Sequence, residues 1–170
     1  ADGTVAEDTN FVATLSASDV DGDDLTYFAQ VDGNGSASVD GSTLTVTPAE
    51  HYNGDILVTV SVNDGQTEVS DSFTLNVTPV NDPPVISSIA DQEIDEDTSL
   101  TLTLSASDVD GDELIFTASN GNADISIDSD VLTITREANY NGEAEVTVQV
   151  SDGEYASSTT FTLTVNPVND

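Results

Sequence analysis

Apolar and polar residues alternate along most of this chain. Phe11, Ala13, Leu15 and Ala17 are interleaved with Val12, Thr14, Ser16 and Ser18. Leu100, Leu102, Leu104 and Ala106 repeat the arrangement with Thr101, Thr103 and Ser105 between them. Ile56, Val58, Val60 and Val62 form one apolar row, and Val146, Val148 and Val150 form another. Phe73, Leu75 and Val77 return as Phe161, Leu163 and Val165. A period of two sends successive side chains to opposite faces of an extended backbone, so these segments read as half-buried strands. Abundant Thr and Val suit strands, and no segment carries a helical period.

The two halves of the chain are copies of each other. Glu7-Asp8-Thr9 matches Glu96-Asp97-Thr98, Tyr52-Asn53-Gly54 matches Tyr140-Asn141-Gly142, and residues 73–82 match 161–170. A period of about 88 residues is too long for a solenoid unit and suits a small domain repeated in tandem. Each copy offers about seven short strands separated by Gly, Asn and Asp turns, the pattern of an Ig-like sandwich. The expected fold is all-β: two tandem Ig-like Greek-key β-sandwiches, residues 1–82 and 83–170. The boundary falls at Pro79-Val80-Asn81-Asp82-Pro83-Pro84, where the prolines stiffen the connector. Ala1 aligns with Ala90, so Pro83–Ile89 has no counterpart in the first copy. The chain reads as a segment of a longer array, with any targeting signal or anchor outside it.

Composition sharpens this picture. The 170 residues include 33 Asp and Glu and one Lys or Arg, for a net charge of −32. Nucleic acid and anionic membrane both require a positive footprint, so neither is an expected partner. No apolar run is long enough to span a bilayer. There is no Cys, hence no disulfide. The compact state must repel itself unless cations bind, and bound metal could supply folding free energy. A halophile-like solvated surface also accounts for the charge, but not for acids recurring in clusters at matching positions.

The sharpest cluster is Ser-Ala-Ser-Asp-Val-Asp-Gly-Asp, found at 16–23 and again at 105–112. Alternate carboxylates of Asp19-Val20-Asp21-Gly22-Asp23 and Asp108-Val109-Asp110-Gly111-Asp112 can turn inward in a loop that the glycine lets bend. Calcium takes about 6–8 hard oxygen ligands, so such a loop suits it. It is not an EF-hand: the sixth position holds Asp24 or Glu113 rather than Gly, and the twelfth holds Gln30 or Ser119 rather than Glu. His51 is the only histidine and Asn139 replaces it in the second copy, so a metal or catalytic role is not expected of it. Arg136 can pair with any of many acids. The serines have no base or nucleophile elbow beside them, so hydrolase chemistry is unsupported and no catalytic residue is expected. Tyr52 and Tyr140 are expected to pin sandwich corners through their hydroxyls. Asn53-Gly54 and Asn141-Gly142 read as turns.

In order and spacing the repeat resembles the cadherin-like domains found in tandem in bacterial surface proteins and large adhesins. The resemblance rests on Glu7 followed by Asp19 and Asp21, on Glu96 followed by Asp108 and Asp110, on Val62-Asn63-Asp64-Gly65 and Val150-Ser151-Asp152-Gly153, and on Asn81-Asp82 and Asn169-Asp170. Pro79 and Pro83 stand where cadherin linkers carry Asp and Asn, and Glu50 and Glu137 are the nearest counterparts of the Asp-Arg-Glu motif. Fewer ions per junction are therefore expected. The resemblance implies one complete Ca²⁺ junction, with ligands from Glu7, Asn81, Asp82, Asp108, Asp110 and Asp152, and Glu50 less central. It implies outer half-sites at Asp19, Asp21 and Asp64, and at Glu96, Glu137, Asn169 and Asp170. Asp64-Gly65 and Asp152-Gly153 read equally well as hairpin turns. The function implied is a calcium-rigidified extender of an extracellular, surface-attached protein, whose partners are calcium and neighbouring repeats. The alternative is a calcium-dependent polysaccharide-binding module of a secreted protein. Sugar platforms use aromatic faces, and with no Trp the candidates are Tyr27 and Tyr155.

Overall fold

The computed structural model describes residues 3–120 and 123–169. The chain divides into two units, Ala1–Val80 and Asn81–Asp170. Unit 1 has seven strands: β1 (Gly3–Ala6), β2 (Phe11–Thr14), β3 (Thr26–Val31), β4 (Gly35–Asp40), β5 (Thr43–Pro48), β6 (Gly54–Asn63) and β7 (Glu68–Thr78). They form two sheets, β1-β7-β6-β3 and β2-β5-β4. Pairing is antiparallel except for β1, which runs parallel to β7 with Val5 opposite Val77.

Unit 2 repeats the plan with β9 (Gln92–Asp95), β10 (Ser99–Thr103), β12 (Ile115–Ser119), β13 (Asp124–Asp128), β14 (Val131–Thr135), β15 (Gly142–Ser151) and β16 (Ala156–Asn166). Its sheets are β9-β16-β15-β12 and β10-β14-β13. Two further short strands, β8 (Val85–Ile86) and β11 (Ala106–Ser107), pair with each other. The expectation of about seven strands per domain thus holds for unit 1, and unit 2 adds this pair.

The alternation of the sequence becomes the interior. Ile56 lies opposite Leu75 and Val58 opposite Phe73 across β6 and β7. With Leu44, Val46 and Val77 these side chains form the core of unit 1. Val146 opposite Phe161 does the same in unit 2, with Leu132, Ile134 and Leu163. Each fully buried Leu, Ile or Val contributes about 1.5–3 kcal/mol relative to exposure. This suffices for a sandwich without disulfides.

The corners rest on hydrogen bonds. The Tyr52 hydroxyl donates to the Asp55 carbonyl at 3.0 Å, and Tyr140 does the same to Glu143 at 3.4 Å. The chain reversal lies one step before the Asn-Gly pairs expected to form it. Tyr52 N–H closes on the Ala49 carbonyl and Tyr140 N–H on that of Glu137, while Gly54 and Gly142 open strands. The turning residues, His51 and Asn139, have φ of 54° and 60°, a left-handed conformation that Asn tolerates better than His. Arg136 is buried and forms no ion pair among the described residues. Its guanidinium lies 3.8 Å from the Tyr140 ring centroid and donates to Asn120 Oδ1 at 3.1 Å.

Candidate metal centre

The parallel pairing of β1 with β7 brings the ends of both strands to one pole of unit 1. Glu7 follows β1 directly, is 2 % exposed, and accepts the Val80 N–H on Oε1 at 2.6 Å. Its own N–H donates to the Thr78 carbonyl at 2.9 Å. The second carboxylate oxygen, Oε2, is buried with no hydrogen-bond partner. Parallel β9 and β16 give Glu96 the same place in unit 2: it is 7 % exposed and takes the Val168 N–H at 2.6 Å.

In unit 2, the antiparallel β8–β11 pair sets the residues before β8 beside those after β11. Asp108 Oδ1 accepts the N–H groups of Asp110, Gly111 and Asp112 at 2.9, 3.1 and 3.4 Å. Its Oδ2 is buried and unpartnered. Asp110 Oδ2 accepts the Asp82 N–H at 2.8 Å. Asp108, Asp110 and Asp112 each place a carboxylate oxygen within 4.8 Å of the others. Two carboxylates about 4 Å apart repel by roughly 1–4 kcal/mol, depending on the local dielectric. Hard oxygens, mutual repulsion and no basic side chain nearby describe a cluster that can hold a cation.

Asp152 serves two purposes. In the β15–β16 hairpin its Oδ1 takes the N–H groups of Glu154 and Tyr155 at 2.7 and 2.6 Å, and its Oδ2 takes the Asn81 amide at 2.9 Å. Desolvation pushes its pKa up, but the Asn81 amide and the Tyr155 and Glu154 N–H groups outweigh it and hold the carboxyl below its usual value. Asp64 closes the corresponding turn in unit 1 through the N–H groups of Gln66 and Thr67. Thr67 foremost, then Gln66, lowers its pKa.

Asn81, Asp82, Asp108, Asp110 and Asp152 are thus linked within unit 2, while Glu7 lies in unit 1. The Asp19 loop folds like the Asp108 loop, with Oδ1 accepting from Asp21, Gly22 and Asp23 at 2.8, 2.8 and 3.2 Å. Among the described residues, however, Asp19, Asp21 and Asp23 do not converge as their counterparts do. Glu50 and Glu137 sit at the reversals described above. Asp170 lies outside the described residues. Sequence reasoning left Asp112 off the ligand set, although the alternate spacing of the loop marked it. Asp8 and Asp97, which the sequence marks only as part of the repeat, have a structural part. Their Oδ1 atoms accept the N–H of His51 at 3.0 Å and of Asn139 at 3.1 Å, tying the end of the first strand to the distant reversal.

This architecture defines a class, tandem Ig-like β-sandwiches with acidic loops. The chain belongs to the bacterial Ig domain family, which it matches over residues 1–78 and 81–166. It is 31 % identical over 159 residues to a protein named Chitinase A from Pseudoalteromonas piscicida, covering 88 % of this chain and 19 % of that protein. Among solved structures it resembles human protocadherin-24 EC1-2, at 17 % identity over 99 % of this chain and 94 % of that one, with a TM-score of 0.57. Human mucin-like protocadherin EC1-2 is similar at 20 % identity over 98 % of this chain and 96 % of that one, with a TM-score of 0.54. At these identities the likeness is one of fold.

Proposed function

We propose that this chain is a calcium-binding tandem spacer of a secreted or surface protein. The observation that carries the reading is Glu7 Oε2: a carboxylate oxygen buried without a partner is costly unless a cation joins it. The cluster of Asp108, Asp110 and Asp112 supports the same reading. Calcium suits the donors, which are carboxylates, amides and carbonyls, with no Cys and no His in the cluster. The connector is bound to unit 1 through Val80 and to unit 2 through Asn81 and Asp82. Each end of this short segment thus lies beside acids of the unit it contacts, where a bound cation would hold it. Affinity in the extracellular range, about 10⁻⁴ to 10⁻³ M, leaves the site empty at cytosolic calcium and filled outside the cell.

A calcium titration by calorimetry, paired with thermal melts in calcium and in chelator, tests this. Saturable binding with a raised melting temperature is expected. Absence of binding with identical melts overturns the reading and leaves the acids as solubilising surface.

The relationship to Chitinase A supports a second reading, a polysaccharide-binding or spacing module attached to a glycan-degrading enzyme. Tyr155 and Phe28 are exposed but stand on different units, and Tyr27 is half-buried. Among the described residues no aromatic platform therefore speaks for direct sugar binding, and the spacer reading is preferred. Retention on insoluble polysaccharide only in calcium would reverse that preference.

A further inference from the structure

The chain carries one Lys or Arg in 170 residues, and it is Arg136. Its bond to Glu137 is therefore the one bond of this sequence that follows a basic side chain. Arg136 comes directly after β14 and is 7 % exposed. Its guanidinium lies against the Tyr140 ring and donates to Asn120 Oδ1. The residues before it are held harder still. β14 is the central strand of its sheet, with Thr135 opposite Ser99 of β10 on one side and Asp124 of β13 on the other. Leu132 and Ile134 are fully buried in the core. The residues after it form the reversal: the Glu137 carbonyl accepts the Tyr140 N–H at 3.1 Å, and Asp97 Oδ1 accepts the Asn139 N–H at 3.1 Å. Pro48 stands at the corresponding place in unit 1, so the arrangement belongs to unit 2 alone.

We propose that the Arg136–Glu137 bond is a latent cleavage site for serine proteases of the trypsin class, closed while unit 2 is folded and opened only with its sheet. Such a protease takes the side chain before the scissile bond into a pocket that ends in an Asp, and it must draw the flanking backbone into its cleft. Here the side chain is seated inside, and the backbone before it has a strand on either side. Cutting therefore waits for β14 to leave its sheet, and its rate follows the population of that open form. Hydrolysis breaks the bond from the Arg136 carbonyl carbon to the Glu137 nitrogen. The OH of one water completes the Arg136 carboxyl group, and its remaining hydrogen completes the Glu137 amine. The cut separates β15 and β16 from the rest of unit 2 and takes Val146, Val148, Phe161 and Leu163 out of the chain that holds Leu132 and Ile134. Opening then becomes irreversible. Outside a cell, a chain so built resists proteases of basic specificity while unit 2 is intact and is cut by them once unit 2 fails.

Trypsin digestion of the full chain, read by mass spectrometry, tests this. The folded chain should stay intact, and in urea it should give two fragments, residues 1–136 and 137–170. Ser88→Arg places a basic side chain at an exposed position outside the strands and should be cut there in the folded chain. Val150→Ala should speed cleavage after Arg136 by about thirtyfold, because Val150 is buried in unit 2 and the open form becomes more populated. Val62→Ala in unit 1 should leave that rate unchanged. Cleavage of the folded chain after Arg136 as fast as at the new site of Ser88→Arg overturns the proposal, because the seat then masks nothing. Resistance of both sites overturns it too, because the charge of −32 rather than burial then keeps the protease away. Equal acceleration by Val62→Ala and Val150→Ala puts the barrier outside unit 2 and refutes it as well.

Discussion

Glu7→Gln separates a metal ligand from a structural acceptor. The glutamine keeps an oxygen for the Val80 N–H, which Glu7 accepts at 2.6 Å. It replaces the unpartnered Oε2 by a neutral amide and removes a charge from a site that is 2 % exposed. An unpaired buried amide costs about 1–3 kcal/mol, whereas an uncompensated buried carboxylate costs several. In chelator the variant should therefore be at least as stable as the parent. Calcium reverses the order. At about 10 mM calcium and a Kd near 10⁻⁴ M, binding stabilises the parent by about 2.7 kcal/mol. For a domain the size of unit 1 that is a rise in Tm of roughly 10–20 °C. A tenfold loss of affinity leaves the variant about 1.4 kcal/mol, or half the rise. Four calorimetric melts, each protein in calcium and in chelator, measure the crossing. Equal rises for both proteins, or a variant equally destabilised in both buffers, would show that Glu7 only holds the backbone of Val80.

Three further outcomes are expected. His51→Asn places at φ 54° the residue that unit 2 carries there; unit 1 should gain about 0.5 kcal/mol from relieved left-handed strain, and a lower Tm would show that the His51–Asp8 contact at 3.5 Å matters more. Val150→Ala should cost about 2 kcal/mol in urea unfolding of unit 2, and Val62→Ala in unit 1 less than half of that, because Val150 is fully buried and Val62 only half-buried; equal costs would contradict that difference in burial. Asp64, whose carboxyl the Thr67 and Gln66 N–H groups hold below the usual Asp value, stabilises unit 1 above the usual Asp range and loses the effect as pH falls through the lower folded value. Asp64→Asn should therefore flatten the acid limb of the Tm–pH curve in chelator below about pH 3.9, and an unchanged limb would count against it.

The strands were legible because burial is one-sided: the alternation of Val58, Val60 and Val62 with Thr59 and Ser61 fits no other regular structure. The tyrosine corners were legible for the same reason, since a half-buried hydroxyl beside a turn has few partners. The reversal at His51 was not, because Asn-Gly is the stronger local turn signal and only tertiary bonds from Asp8 and Asp97 select the earlier position. For Arg136 the sequence left a pairing with any of many acids open; the Tyr140 ring and Asn120 give the guanidinium a buried seat, and among the described residues it forms no ion pair. Among the acids, spacing marked the loops but not which oxygens would be consumed by backbone N–H groups.

One octapeptide occurs twice, and its two copies show what local sequence leaves undetermined. Both loops wrap their backbone N–H groups around the first aspartate. Only the second gathers its three carboxylates within 4.8 Å. The difference is not in the loop, whose sequence is identical. It lies in Asp82, whose N–H takes up Asp110 Oδ2, and in the pairing of β8 with β11 directly before Asp108. The strand that seals the core of unit 2 therefore also assembles its acidic cluster. In unit 1, Ser16 and Ala17 are exposed and lie in no strand, and the same octapeptide leaves its carboxylates apart among the described residues. Local sequence therefore shapes the loop, and the chain packed beside the loop decides whether its acids meet.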